Sequence, residues 1–149
     1  MDFFAEQDLN FEQVKALTAG MYSVAKVDGV HDREMAMIRG FYESCARAGD
    51  PRLEDVLRVE LDIEQARKLF DRPEQAKLFT KTLVLLAFAD GSYGKSEDAL
   101  IRRYSERLGL SGKDVDALVD STKEHLLSSL AHVQNTDALQ AVARRLAIK

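Results

Sequence analysis

Two Asp-Gly dipeptides, at residues 28–29 and 90–91, are each followed by further acidic residues, and these carboxylates are the side chains best suited to chemistry. If each dipeptide ends one helix shortly before the next begins, carboxylates and free helix carbonyls gather in a small volume. Ca²⁺ and Mg²⁺ prefer such oxygen ligands. The two turns are therefore candidates for a divalent-cation site, with Asp28, Asp32 and Glu34 in the first and Asp90, Glu97 and Asp98 in the second.

A purely structural interpretation of the same residues is the alternative. Asp-Gly is a common turn dipeptide, and acidic residues in the first turn of a helix serve as caps. Arg33 and Lys95 stand inside the two turns and could neutralise the acids without a metal. The spacing of the acids also differs from that of an EF-hand calcium loop. Metal binding and helix capping are therefore both open at this point.

Apolar residues recur at helical spacing along almost the whole chain, as in residues 11–25, and the sustained alternation typical of strands is absent from the sequence. Residues 83–89 are apolar on every side, so a helix that carries them must be surrounded by other helices. We expect one or two short helices within residues 50–71. With its Gly and Pro breaks, the pattern predicts an all-α fold, a compact bundle of about seven helices.

An internal repeat relates the two turns. Residues 25–29 and 87–91 share the pattern Ala-x-x-Asp-Gly, and one extra residue in the second copy aligns Glu34 with Glu97. Gly94 is matched with Asp32, so a polar capping residue is lost in the second copy. Each copy is a helix, an Asp-Gly connection and a second helix, and two such units packed together form a natural core. The bundle is therefore predicted to rest on a duplicated helix–Asp-Gly–helix unit, whose turn glycines adopt positive φ.

We expect a single domain over residues 1–149, in which residues 115–149 form a C-terminal helical extension. That extension contains two amphipathic stretches, 115–130 and 139–146, and the four residues from Ser111 to Asp114 have the spacing of a capping box. A chain of 149 residues is long enough to bury a core without disulfides or a structural metal.

The composition is that of an ordinary globular protein, with 46% apolar and 31% charged residues. A formal net charge of −4 argues against nucleic acid as a partner. Cys45 is the only cysteine, and its place on an apolar stripe predicts a buried, inert thiol. The sequence has neither a secretory signal nor an apolar run long enough to span a membrane, so we expect a cytoplasmic protein with at most peripheral membrane contact.

The sequence offers little for catalysis, since the metalloprotease, nucleophile-elbow and phosphate-loop motifs are all missing from it. His31 stands inside the first acidic turn and could add a nitrogen ligand for a transition metal. A metal-dependent hydrolase would need a cleft beside the turns and an activated water. We therefore expect a protein that is not an enzyme and that holds no cofactor beyond a divalent cation.

Two other side chains receive structural interpretations. Tyr93, inside the second turn, is expected to pack into the bundle, and Arg102 is expected to pair with Glu106 on a solvated helix face.

Together these features resemble the TerB-like tellurite-resistance family. Its pattern is a helix ending in Ala-x-x-Asp-Gly, a short acidic or serine-containing turn, and a Glu-bearing amphipathic helix, occurring twice. The most telling stretches here are residues 24–42 and 83–110, and the resemblance covers roughly residues 10–115.

The resemblance implies a helical bundle without catalysis that acts in stress responses to tellurium oxyanions and joins protein partners in a membrane-associated complex. It also implies divalent-cation binding by the acidic turn residues, here Asp28, Asp32, Glu34, Asp90 and Glu97. Related helical domains are attached to co-chaperone-type proteins, so a metal-independent interaction module is the alternative. The sequence leaves the oligomeric state open.

Overall fold

The computed structural model describes residues 9–27, 29–89 and 93–131, apart from the side chains of 129–131, and this part contains seven helices and no strand. The predicted all-α fold is therefore confirmed, whereas the amphipathic stretch at 139–146 lies outside the described residues. The helices are α1 (Phe11–Lys26), α2 (Asp32–Cys45), α3 (Leu53–Val56), α4 (Ile63–Leu69), α5 (Pro73–Ala87), α6 (Lys95–Arg107) and α7 (Gly112–Ala131).

Helix α5 lies at the centre of the bundle, as its apolar sequence predicts. It packs against α1, α2, α6 and α7. Leu83, Val84, Leu86 and Ala87 are fully buried. The helix begins with a proline, which is favourable there because the first amide of a helix has no carbonyl partner within the helix.

Helix α1 approaches α5 closely at Gly20, where an added Cβ atom would be tightly packed. A Cβ atom on Gly20 would lie 3.0 Å from Cζ of Phe79 and 3.4 Å from a methyl carbon of Leu83. The start of α1 is fixed by a capping box between Asn10 and Gln13. Gln13 also donates through Nε2 to the carbonyl of Leu69, 2.8 Å away, and thereby ties α1 to the end of α4.

The middle of the chain forms the two short helices α3 and α4, in agreement with the sequence. The hydroxyl of Tyr42 in α2 donates to the carbonyl of Pro51 just before α3. The carboxylate of Asp62 caps α4 by accepting from the amides of Glu64 and Gln65. These hydrogen bonds add to the apolar contacts of Leu53 and Val56 in α3 and of Ala66 in α4, which are buried in the core.

Helix α7 follows α6 after a short reversal at Gly109 and packs on α5 and α6. The predicted capping box is present before its first turn: the amide of Ser111 donates to Asp114 over 2.9 Å, and the amide of Asp114 donates to the Ser111 hydroxyl over 3.2 Å. Cys45 differs from its prediction, because it is half-buried rather than buried. It is the last residue of α2, where the helix leaves the core.

Candidate functional site

The first Asp-Gly connection joins α1 to α2, and its described residues are exposed. Gly29 has a φ of 83°, as the sequence predicts for a chain that leaves one helix and reverses. Val30, His31 and Asp32 are exposed, and α2 begins at Asp32. Asp28 lies outside the described residues. Residues 29–32 of this connection are exposed to solvent.

A buried glutamate lies directly under this exposed turn. Glu34 is the third residue of α2 and is only 1% exposed. Its Oε1 atom accepts a hydrogen bond from the amide of His31 over 3.2 Å. A carboxylate at a helix N-terminus is stabilised by the unsatisfied amides and by the positive end of the helix dipole. Glu34 therefore has a structural role, because its carboxylate caps the start of α2.

The second connection, from α5 to α6, places a glutamate in the same way. Glu97 is the third residue of α6, is 3% exposed, and accepts through Oε1 from the amide of Gly94 over 3.0 Å. Because Gly94 and His31 both occupy the N-cap, the pairing of Gly94 with Asp32 is corrected: Asp32 corresponds to Lys95, the first helical residue. The alignment of the two copies placed the extra residue after Gly94, whereas in the structure it lies before this N-cap residue.

A polar network covers the second connection. Tyr93 stacks on Phe88, with ring centroids 5.1 Å apart, and its hydroxyl donates to Oδ1 of Asp98 over 2.8 Å. Arg102 donates through Nε to both oxygens of Asp98, at 2.9 and 3.1 Å, and through Nη2 to Asp116 over 2.6 Å. This network joins the turn to α6 and α7.

Arg102 therefore has a different partner from the one predicted. It pairs with Asp98, four residues earlier, and with Asp116 of α7, rather than with Glu106. The i, i+4 spacing of Asp98 and Arg102 was visible in the sequence. The contact with Asp116 depends on how α7 folds back, which spacing alone does not give.

The electrostatics of this network reinforce its structural role. Burial raises the pKa of Tyr93 well above its ordinary value, and the hydrogen bond to Asp98 raises it further. The hydrogen bonds to Asp116 and Asp98 raise the pKa of Arg102. Tyr93 thus stays a neutral donor and Arg102 a cation throughout the physiological range. Neither group is poised to transfer a proton near neutral pH.

The five predicted ligands have different positions. Glu34 and Glu97 are buried at the starts of α2 and α6, Asp32 is exposed, and Asp28 and Asp90 lie outside the described residues. Within the described ranges, no three His, Cys, Asp or Glu side chains form a group that could hold a metal ion. Metal binding by the full set stays a prediction, since two of its members are not described. The internal duplication stays a prediction for the same reason.

Comparison with known families identifies the fold that carries these turns. The family model for tellurite resistance protein TerB matches residues 14–120, which is more than half of the chain. The chain belongs to the TerB family. The resemblance seen in the sequence is thereby confirmed.

The TerB match begins in α1 and ends in α7, so it includes both Asp-Gly connections and both buried glutamates. Comparison with curated proteins finds no significant match, and comparison with solved structures finds none either. Among the described helices of this TerB-family chain, none combines the length and the apolar character needed to cross a bilayer.

Proposed function

We propose that this chain is a non-catalytic TerB-family module that binds a divalent cation through its two Asp-Gly connections in a cytoplasmic, tellurite-type stress response. One observation supports the proposal: each connection is followed by a glutamate that is almost completely buried, Glu34 at 1% and Glu97 at 3% exposure. Burying a carboxylate is costly unless hydrogen bonds and a positive charge stabilise it. A cation held between each glutamate and the preceding aspartate would contribute positive charge at this position.

The ligand chemistry favours a hard cation. Asp28 precedes Glu34, and Asp90 precedes Glu97, by a short stretch that contains the turn glycine. Carboxylates and the carbonyls at the end of the preceding helix are oxygen donors, which suit Ca²⁺ or Mg²⁺ better than softer metals. Asp32, exposed at the first position of α2, would add a further oxygen at the first connection only.

The decisive experiment is thermal unfolding of EDTA-treated protein with and without Ca²⁺, Mg²⁺, Mn²⁺ or Zn²⁺. Free ion at about 100 times Kd stabilises the folded state by about 2.7 kcal/mol, which raises the unfolding midpoint by roughly 5–10 °C for a chain of this size. We expect an ion-specific rise that Asp28→Asn combined with Asp90→Asn abolishes. Asp120→Asn, at an exposed position of α7, is the matched control and should retain the response. A flat response in every protein would refute cation binding.

A metal-independent interaction module is the second candidate, and the capping geometry favours it. Both glutamates already accept a hydrogen bond from the N-cap amide, which gives them a role without any ion. The acidic surface around the turns would then bind protein partners directly. The two candidates differ in one measurement: partner binding that survives EDTA, but is lost when Asp32 and Arg33 are both replaced by alanine, would favour the metal-independent module.

A further inference from the structure

A cleft of about 250 Å³ opens on the surface between the first half of α1, helix α3 and the segment that leads from α3 into α4. Its walls are largely apolar: Ala16, Ala19, Val56, Leu61 and Leu69 line it. Val59 also lines the cleft and is 70% exposed, more than any other large apolar side chain described on the surface. An apolar surface left open beside a polar rim is typical of a binding site.

The rim of the cleft is predominantly acidic. Glu12, Asp55, Glu60 and Asp62 line it, whereas Lys15 is the only basic residue among the lining side chains. Lys15 and Glu12 form an ion pair at 3.0 Å, and Asp55 lies 3.5 Å from Arg58, so Glu60 and Asp62 supply most of the negative charge of the rim. Glu60 is exposed. The rim therefore attracts a positively charged ligand and repels an acidic one.

The size of the cleft distinguishes between kinds of ligand. Pockets for small organic molecules commonly enclose about 300–1,000 Å³, so this cleft lies below that range. It has room for one or two apolar side chains together with the stem of a lysine or arginine. Shallow apolar grooves between helices are a common way to anchor a peptide by a few side chains.

We propose that this cleft binds a basic amphipathic segment of a partner protein. One or two leucine, isoleucine or phenylalanine side chains of the segment enter between Ala19 and Val59. Lysine or arginine residues beside them pair with Glu60 and the other rim carboxylates. The partner's charge gives orientation and association rate, and burial of its apolar side chains gives most of the affinity.

This site is independent of the Asp-Gly connections. Ala19 is the lining residue of α1 closest to its C-terminal end, and a helix rises about 12 Å over the residues between Ala19 and Val27. The cleft thus runs from the N-terminal end of α1 to its middle, whereas the first connection follows the C-terminal end of the helix. Peptide binding in the cleft needs neither Asp28 nor a metal ion, so it can fail or succeed separately from the cation proposal.

The test is selection of a random dodecapeptide display library on the immobilised full-length protein in EDTA, followed by fluorescence polarisation with the enriched peptides. We expect the enriched sequences to combine Lys or Arg with Leu, Ile or Phe. Ala19→Phe, which fills the cleft, should weaken binding at least tenfold, and Glu60→Lys should weaken it several-fold. Val59→Ser should also weaken binding, and because this side chain is exposed the variant keeps its fold.

Matched controls decide whether any loss belongs to the cleft. Val30→Ser changes an exposed valine at the Asp-Gly connection, and Glu106→Lys reverses an exposed charge on α6; both should bind as the parent protein does. Circular dichroism should show that every variant is folded. Affinity should fall as salt is raised from low to high concentration, because rim charges contribute to it.

Three results would overturn the proposal. The first is enrichment of acidic or uncharged peptides. The second is binding that Ala19→Phe and Val59→Ser leave unchanged. The third is concentration-dependent dimerisation in analytical ultracentrifugation that Val59→Ser abolishes, which would assign the cleft to a second copy of this chain.

Discussion

The α1–α2 and α5–α6 connections bury the same kind of side chain but differ in what covers it. Glu34 and Glu97 accept from the N-cap amide in the same way. The described residues of the first connection are exposed, whereas Tyr93, Asp98 and Arg102 form a hydrogen-bonded cover at the second. The shared glutamate therefore caps both helix starts, and at the second connection Arg102 also links this cover to α7.

The largest effect is expected from removing the glutamates. Glu34→Ala and Glu97→Ala each leave an N-cap amide without its acceptor and create a cavity, and we expect each to lower the free energy of unfolding by about 3 kcal/mol. The measurement is urea unfolding in EDTA. If only one of the two variants loses stability, the structural equivalence of the two connections is wrong.

The corresponding glutamine variants separate capping from cation binding. An amide oxygen still accepts from the N-cap amide, so Glu34→Gln should cost less than about 1 kcal/mol in EDTA. If a cation binds this glutamate, the variant should also lose the rise in unfolding midpoint that the ion causes. Glutamine that retains both stability and ion response would leave the capping role but remove Glu34 from the cation site.

The two glutamates show which features of the structure the sequence predicts. Their position three residues after a helix cap follows from local spacing, as do the seven helices and the buried α5, because hydrophobic periodicity and capping act over a few residues. The Asp116 contact of Arg102 and the cleft beside α1 depend on how distant helices pack. The register error at Gly94 arose because sequence alignment does not locate the extra residue of a turn.

The second prediction concerns the close crossing of α1 and α5. Gly20→Ala places a methyl group 3.0 Å from Phe79, and we expect a net loss of about 1 kcal/mol even though alanine favours the helix. A methyl group at Gly40 in α2 would meet nothing within 4 Å, so Gly40→Ala should instead stabilise by up to about 1 kcal/mol. Thermal unfolding of both variants measures the difference. Stabilisation by Gly20→Ala would show that α1 can move away from α5.

The third prediction removes the cover of the second connection. Tyr93→Phe deletes the hydroxyl that donates to Asp98 but keeps the ring on Phe88, so it should cost about 1 kcal/mol. Tyr104→Phe, in α6, is the control and should change stability little. Urea unfolding at pH 7 provides the comparison.

The pH dependence sharpens this prediction. Burial raises the pKa of Tyr93 in the folded protein, so the folded state favours the neutral side chain. The contribution of neutral Tyr93 to stability is fully present below the ordinary tyrosine pKa of about 10 and is lost as the pH rises above that value. The parent protein should therefore lose stability more steeply than Tyr93→Phe between about pH 9 and about pH 11. Equal slopes in the two proteins would mean that the Tyr93 hydroxyl is accessible to solvent.

The smallest effect is expected at the start of α7. Arg102 links the second connection to this helix through Asp116. Ser111→Ala removes one half of the capping box at an exposed helix start and should cost about 0.5 kcal/mol. Hydrogen bonds from the amide and hydroxyl of Ser111 lower the pKa of Asp114. Asp114 therefore stabilises the folded state above its ordinary pKa, and this contribution is lost as the pH falls through the lowered folded value.

The stability difference between the parent protein and Asp114→Asn should accordingly be constant near neutral pH and shrink in strong acid. Urea unfolding at a series of pH values measures it, and Asp120→Asn, an exposed position on the same helix, corrects for the general effect of removing one acidic group. A difference that does not shrink would mean that the Asp114 carboxylate contributes no more than an uncharged acceptor.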